Sequence, residues 1–223
     1  LTGALQVATI GEQIKTTYDS DYLGAGPETL SAVADGSHPF AEILKSAENP
    51  MIIVGQGALT RKDGAAVLAA AKKIADISGM IKEDWNGFNV LHTAASRVGA
   101  LDVGFVPGDK GADRDGILAG AATGAIKLVY LLGTDEMDLA PLKDSGAFVV
   151  YHGHHGDKGA HVADVIFPGA AYTEKNATYV NTEGRVQLAR RATFPPGEAK
   201  DDWAIIRALS ETLGKPFPWI SFD

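Results

Sequence analysis

Leu5–Ile10 is a strand-like stretch ended by Gly11, and four short apolar runs punctuate the chain after it: Met51–Val54, Leu128–Leu132, Phe148–Tyr151 and Val165–Phe167. The last three run on without polar alternation. That pattern predicts parallel strands covered by helices. Phe88–Leu91 adds a weaker strand. Between them lie helical patterns. Pro27 opens a predicted helix that runs through Ala34, since proline suits a first helical position. Pro39–Ala47 predicts a second, with Phe40, Ile43 and Leu44 on one side. Thr60 is placed to cap a third from Arg61 to Ser78, whose apolar face is Val67, Leu68, Ala71, Ile74 and Ala75. Gly79 then stands where a left-handed cap belongs. Ala94–Leu101 predicts a short helix, Gly104 to Gly116 a loop, and Ile117–Ala125 a small-residue helix or turn. A final helix is predicted from Asp202 to Leu213, with Trp203, Ile206, Leu209 and Leu213 on one face. Gly214 and Pro216 stop it. Strands alternating with helices predict an α/β fold, a Rossmann-like, mostly parallel sheet with helices on both faces.

One stretch fits neither period. From Val162 to Gln187 an apolar run stops at Pro168-Gly169 and a polar segment follows, carrying Glu174, Lys175, Asn176, Asn181, Glu183 and Arg185. Such a segment is either a solvated loop or one fixed by its own hydrogen bonds. Tyr172, Tyr179 and Val180 favour the second, because a solvated loop gains nothing from them. Glu174, Lys175, Glu183 and Arg185 could be read as acid–base groups. Their spacing in an aperiodic segment better fits a loop pinned by charge-assisted hydrogen bonds. On that reading, Arg185→Ala disorders the segment.

The wording Pro168-Gly-Ala-Ala-Tyr-Thr-Glu-Lys-Asn-Ala-Thr-Tyr-Val-Asn-Thr-Glu-Gly-Arg185 resembles the molybdopterin oxidoreductase superfamily. Within it, the wording is most similar to the large iron–sulfur subunit of respiratory complex I, NADH:quinone oxidoreductase. The stretches Asn49–Gly57, Ala95–Asp102, Gly153–Ala160 and Asp201–Glu211 resemble the same subunit. The resemblance covers most of the chain and implies the C-terminal part of that subunit, a molybdopterin oxidoreductase-like domain. It implies an arrangement of N-terminal strand and short helices (1–49), Rossmann-like domain (50–170), extended loop (171–199), and C-terminal helix and tail (200–223). It implies a structural and assembly module, with 4Fe-4S and 2Fe-2S clusters upstream and the NADH and flavin site on a neighbouring subunit. The implied partners are that flavin/NADH-binding subunit and the quinone-module subunits. The implied location is the peripheral arm, on the cytoplasmic face of a bacterial inner membrane or the matrix face of a mitochondrial one. The alternative that the superfamily permits is a catalytic, formate-dehydrogenase-like molybdopterin enzyme.

Composition narrows the chemistry. Hydrophobic residues at 45% and charged ones at 22% describe a globular chain. No apolar run is long enough for a membrane span, and Leu1-Thr2-Gly3 does not open a signal peptide. A start without Met leads us to expect a fragment. The net charge of −8 disfavours nucleic acid; Arg190-Arg191 and Lys72-Lys73 read as solvated faces. With no cysteine, the chain has neither disulfides nor thiolates for iron–sulfur clusters.

Three further motifs carry candidate chemistry. Gly55-Gln-Gly57 lies between strand and helix, where a phosphate could sit, but the third glycine of a dinucleotide fingerprint would fall at Thr60. The reading is a tight turn. Gly133-Thr-Asp-Glu136 follows a strand, and in molybdopterin enzymes such loops hold the pterin. Here it reads as a strand-end turn with Asp135 as a cap. His152, His154, His155 and His161, with Asp157 and Asp164, could supply zinc ligands. The glycines among them offer little rigid support, so surface or hydrogen-bonding roles are expected. No catalytic, cofactor-binding or metal-ligating residue is assigned within the chain.

Overall fold

A computed structural model describes residues 5–134 and 136–221. They fall into two compact units, Leu1–Val98 with Val180–Arg185, and Gly99–Tyr179 with Val186–Asp223.

In the first unit, β1 (Ala8–Ile10) pairs in parallel with β2 (Asp21–Gly24). Helices α1 (Pro27–Asp35) and α2 (Phe40–Ser46) follow. β3 (Ile52–Gly55) leads through the single turn α3 (Gln56–Leu59) and the long α4 (Gly64–Ile77) to β4 (Phe88–Leu91). β3 and β4 are parallel, Ile52 opposite Phe88 through Gly55 opposite Leu91. Leu30, Val33, Ala34 and Ala41 meet Ile74, Ala75 and Met80 in one apolar core.

The α4 boundary differs from the expectation. Thr60 does not cap it; its hydroxyl donates to the carbonyl of Gly57, closing α3. Asp63 occupies the cap position instead, with its carboxylate held by Arg61 at 2.8 and 2.9 Å. Leu68, placed on the apolar face, is 39% exposed, whereas Ala71, Ile74 and Ala75 are buried. The C-terminus follows the expectation. Gly79 has φ +62°, its N–H reaches the Asp76 carbonyl, and the Met80 N–H reaches Ala75 at 2.9 Å. The buried Met80 side chain completes this paired cap.

α5 (Arg97–Asp102) stands at the passage into the second unit. α6 (Arg114–Ala122) begins inside the stretch expected to be loop. The local reason is Asp113, whose side chain accepts the Gly116 N–H at 2.8 Å and caps the helix despite its glycine. β5 (Leu128–Leu132), α7 (Ala140–Lys143), β6 (Phe148–Gly153), α8 (Lys158–Val162) and β7 (Val165–Pro168) follow. β5, β6 and β7 form a parallel three-stranded sheet in sequential order. Val129, Leu131, Val149 and Tyr151 point to one face and pack with Ala121 of α6 and Leu139 and Leu142 around α7. α9 (Asp202–Thr212) brings its first turn to the opposite face.

The α/β class with mostly parallel strands is present as expected, with the strands divided among sheets of two and three. The segment expected to be extended loop holds a two-stranded sheet, β8 (Ala177–Val180) and β9 (Val186–Ala189). Its turn is built on one asparagine. The Asn181 side-chain oxygen accepts the N–H groups of Glu183 and Arg185 at 3.0 and 2.9 Å, and Gly184 turns at φ +80°. Arg185 contributes backbone bonds only among the described residues, so the charge-pinned account of this part is corrected. Polar residues absent from any periodic pattern make a strand pair because the asparagine substitutes for backbone partners in the turn. Val180 is buried, but Tyr172 is 71% exposed and does not help to fix the segment.

Candidate functional site

The second unit gathers four polar side chains on the face of the sheet opposite its apolar core. Alternation along β6 turns Tyr151 into the core and His152 to the other side, where it is 1% exposed. Tyr130, on the same face of β5, places its hydroxyl 2.9 Å from His152 Nδ1. Phe167 of β7 lies beside His152 in register, its ring 6.5 Å from that of Tyr130. Beyond β7, Ala170 N–H donates to the Lys200 carbonyl at 2.9 Å, and Lys200 N–H returns to Pro168 at 3.1 Å. That bridge delivers the start of α9. Asp202 Oδ1 comes to 3.0 Å from His152 Nε2, a close contact too oblique for a full hydrogen bond. The other oxygen, Oδ2, accepts from Lys175 Nζ. Glycine at 169 leaves room for this approach. A Cβ there would stand 3.0 Å from His152 Cδ2 and 3.1 Å from Asp202 Oδ1.

Burial opposes ionisation of Asp202. Its contacts with His152 and then Lys175 outweigh that cost and hold its carboxyl below the ordinary carboxylate range. Its position in the first turn of α9 adds the favourable end of the helix dipole. Burial, then the nearby Asp202 charge, pushes the Tyr130 hydroxyl above the ordinary phenol range. A general base must reach the proton it removes. His152 is closed off by its neighbours, so the group Tyr130–His152–Asp202–Lys175 acts as a clamp tying the sheet to residue 175 and to α9.

Sequence reasoning marked His152 and Lys175 but missed Tyr130 and Asp202. Tyr130 sits in an apolar run, where its hydroxyl was the available signal. Asp202 carries only the signal of a helix start in the sequence. The remaining histidines do not join the clamp. β6 ends at Gly153, leaving His154 and His155 exposed and edge to face at 4.6 Å. Asp157 accepts the Tyr151 hydroxyl at 2.8 Å, and Asp164 accepts the Val149 N–H at 2.7 Å. Among the described residues no three metal-ligating side chains converge.

Among the described residues, the strand-end turns lack the features that hold a pterin dinucleotide. Gly55 ends β3 and α3 is one turn long, too short for a strong dipole. After β5, no Lys or Arg stands between Gly133 and Leu139, while Glu136 and Asp138 add negative charge. Asp135 lies outside the described residues. These residues do not fit a doubly charged pyrophosphate, which is held by cations and free N–H groups. With no cysteine in the chain, iron–sulfur ligation by thiolates does not fit either.

An α/β chain of short parallel strands, the last of the parallel set ending at Pro168 ahead of the β8–β9 hairpin, defines a class. The molybdopterin oxidoreductase family model matches residues 1–212, and the chain belongs to that family. It is 43% identical over its whole length to the NADH-ubiquinone oxidoreductase 75 kDa subunit of Reclinomonas americana, covering 31% of that protein. Over 97% of its length it is 45% identical to the mitochondrial NADH dehydrogenase [ubiquinone] iron-sulfur protein 1 of Solanum tuberosum, covering 28% of it. The chain thus spans less than a third of these relatives. In fold alone, it is similar to a chain of the formyltransferase/hydrolase complex of Methylorubrum extorquens, with a TM-score of 0.62 at 13% identity, over 95% of this chain and 66% of that one. Among the described residues no helix is long and apolar enough to cross a membrane.

Proposed function

We infer that the chain is the C-terminal structural and assembly domain of the large iron–sulfur subunit of NADH:quinone oxidoreductase, respiratory complex I. Identity of 43–45% along essentially the whole chain to the two subunits above carries this reading. The enzyme passes electrons from NADH through iron–sulfur clusters to quinone and couples this to proton translocation. The clusters, 4Fe-4S and 2Fe-2S, belong to sequence upstream of this stretch. The domain contributes packing surfaces and no chemistry of its own. Its partners are the flavin/NADH-binding subunit and the quinone-module subunits. It lies in the peripheral arm, on the cytoplasmic face in bacteria or the matrix face in mitochondria. The clamp of Tyr130, His152, Asp202 and Lys175 suits a structural role, because its buried imidazole stiffens the fold and meets no substrate.

The family match favours a second reading, a catalytic molybdopterin-dependent, formate-dehydrogenase-like oxidoreductase. The acidic turn after β5 argues against it. The test is the intact mass and N-terminal sequence of the native polypeptide, with a molybdenum assay of the same sample. A much longer chain, cysteine-rich upstream and free of molybdenum, is expected. Stoichiometric molybdenum would transfer the chain to the second reading, and a free chain of this length would defeat both.

A further inference from the structure

Beside the sheet core of the second unit lies an open pocket of about 400 Å³. Phe105, Val106, Ile117, Leu118, Met137 and Leu142 give it an apolar lining. The loop on one side is bare: Val103, Phe105 and Val106 are 81, 76 and 55% exposed. Three exposed apolar side chains in one turn beside an apolar pocket mark an interaction surface.

The polar groups indicate the kind of occupant. A small-molecule site needs convergent free polar groups. Here they are engaged. Arg114 bonds Asp115 at 2.7 Å, Asp113 caps α6 through Gly116, and the Thr134 hydroxyl donates to the Leu132 carbonyl. What remains at the rim is negative charge. Asp113 lines the pocket, Asp138 lines an adjoining smaller cavity, and Glu136 directly precedes the lining residue Met137 in sequence. Glu136 makes no hydrogen bond or ion pair among the described residues. Of the cations here, Arg114 is already paired with Asp115, and Lys110 follows Asp109 in the loop between the lining residues Pro107 and Ala112, so carboxylates still outnumber cations.

We propose that this pocket receives an apolar side chain from a cationic segment of a partner protein. The apolar lining desolvates the anchoring side chain, and flanking Lys or Arg meets the carboxylate rim. Such arrangements combine a buried anchor with charge complementarity that guides approach. The inference rests on the reading of the chain as one domain of a multi-subunit enzyme and names a partner chemistry for it.

The test uses the assembled enzyme carrying Phe105→p-benzoylphenylalanine, a photoreactive side chain at an exposed position. The crosslinked peptide, read by mass spectrometry, is expected to come from a different polypeptide and to hold an apolar residue flanked by Lys or Arg. Adding Glu136→Lys, at another exposed position, is expected to cut the crosslink yield about tenfold. Normal assembly with crosslinks only to the same chain, to lipid or to nothing overturns the inference and leaves the multi-subunit reading standing. So does an unchanged yield with Glu136→Lys. Recovery of the chain outside any larger assembly overturns both.

Discussion

At Asp202 one carboxylate faces the His152 ring and the Lys175 ammonium. Removing it leaves Lys175, mostly buried, without its anion and takes the charge from beside His152. Asp202→Asn is expected to cost about 1–3 kcal/mol at pH 7, towards the lower end because Asp202 keeps a third of its surface. The pH dependence follows from the depressed folded pKa. The contribution is present above the ordinary carboxylate value of about 3.9 and is lost as pH falls through the lower folded value. Urea unfolding of the wild-type and Asp202→Asn chains at pH 7 and pH 3 checks this. An equal gap at both pH values would remove the charge as its cause. Gly159 makes a second expectation at this scale. An added Cβ would lie 2.3 Å from Tyr151 Cδ2 and 3.0 Å from the Thr134 carbonyl. Alanine ordinarily helps a helix by about 0.5–1 kcal/mol. Overpacking against a buried ring costs about 1–3 kcal/mol, so Gly159→Ala is expected to lower the melting temperature.

Elements depend on their ends. In the hairpin, Asn181→Ala strips the acceptor from two backbone N–H groups. It is expected to cost about 1–2 kcal/mol locally and to speed proteolysis at the turn. Arg185→Ala should leave proteolysis unchanged, because Arg185 serves through its backbone. If the two variants are cut equally fast, the account of the turn is wrong. At the end of α4, Gly79→Ala forces a Cβ into the left-handed region and is expected to cost about 1 kcal/mol, read by thermal unfolding. These two ends differed in legibility. The glycine cap of α4 was visible in the sequence because its cause lies within four residues. The hairpin was not, because Asn181 and Gly184 carry no hydrophobic period and the pairing of β8 with β9 is what gives them meaning. The start of α6 was hidden similarly: Gly- and Asp-rich sequence suggests loop until Asp113 is seen to cap.

For the whole molecule, the acidic balance and the spent polar groups predict indifference to nucleotides. ATP or NADH at millimolar concentration is expected to leave the melting temperature unmoved; a rise of several degrees would reveal a nucleotide site at the β3 or β5 turn. The α/β class, the parallel pairing of β5 with β6, and the boundaries of α1, β4 and β5 were all readable from the sequence. Apolar runs and their proline and glycine stops record local preferences, and these act over a few residues. The family was readable too, because its wording lies in one continuous stretch. The folded chain alone decided that His152 is a buried partner of Tyr130 and Asp202, and that apolar residues around Phe105 stand open beside a pocket. Those outcomes depend on residues distant in sequence being brought together by strand register and by the Ala170–Lys200 bridge. Local pattern carries no signal for such meetings.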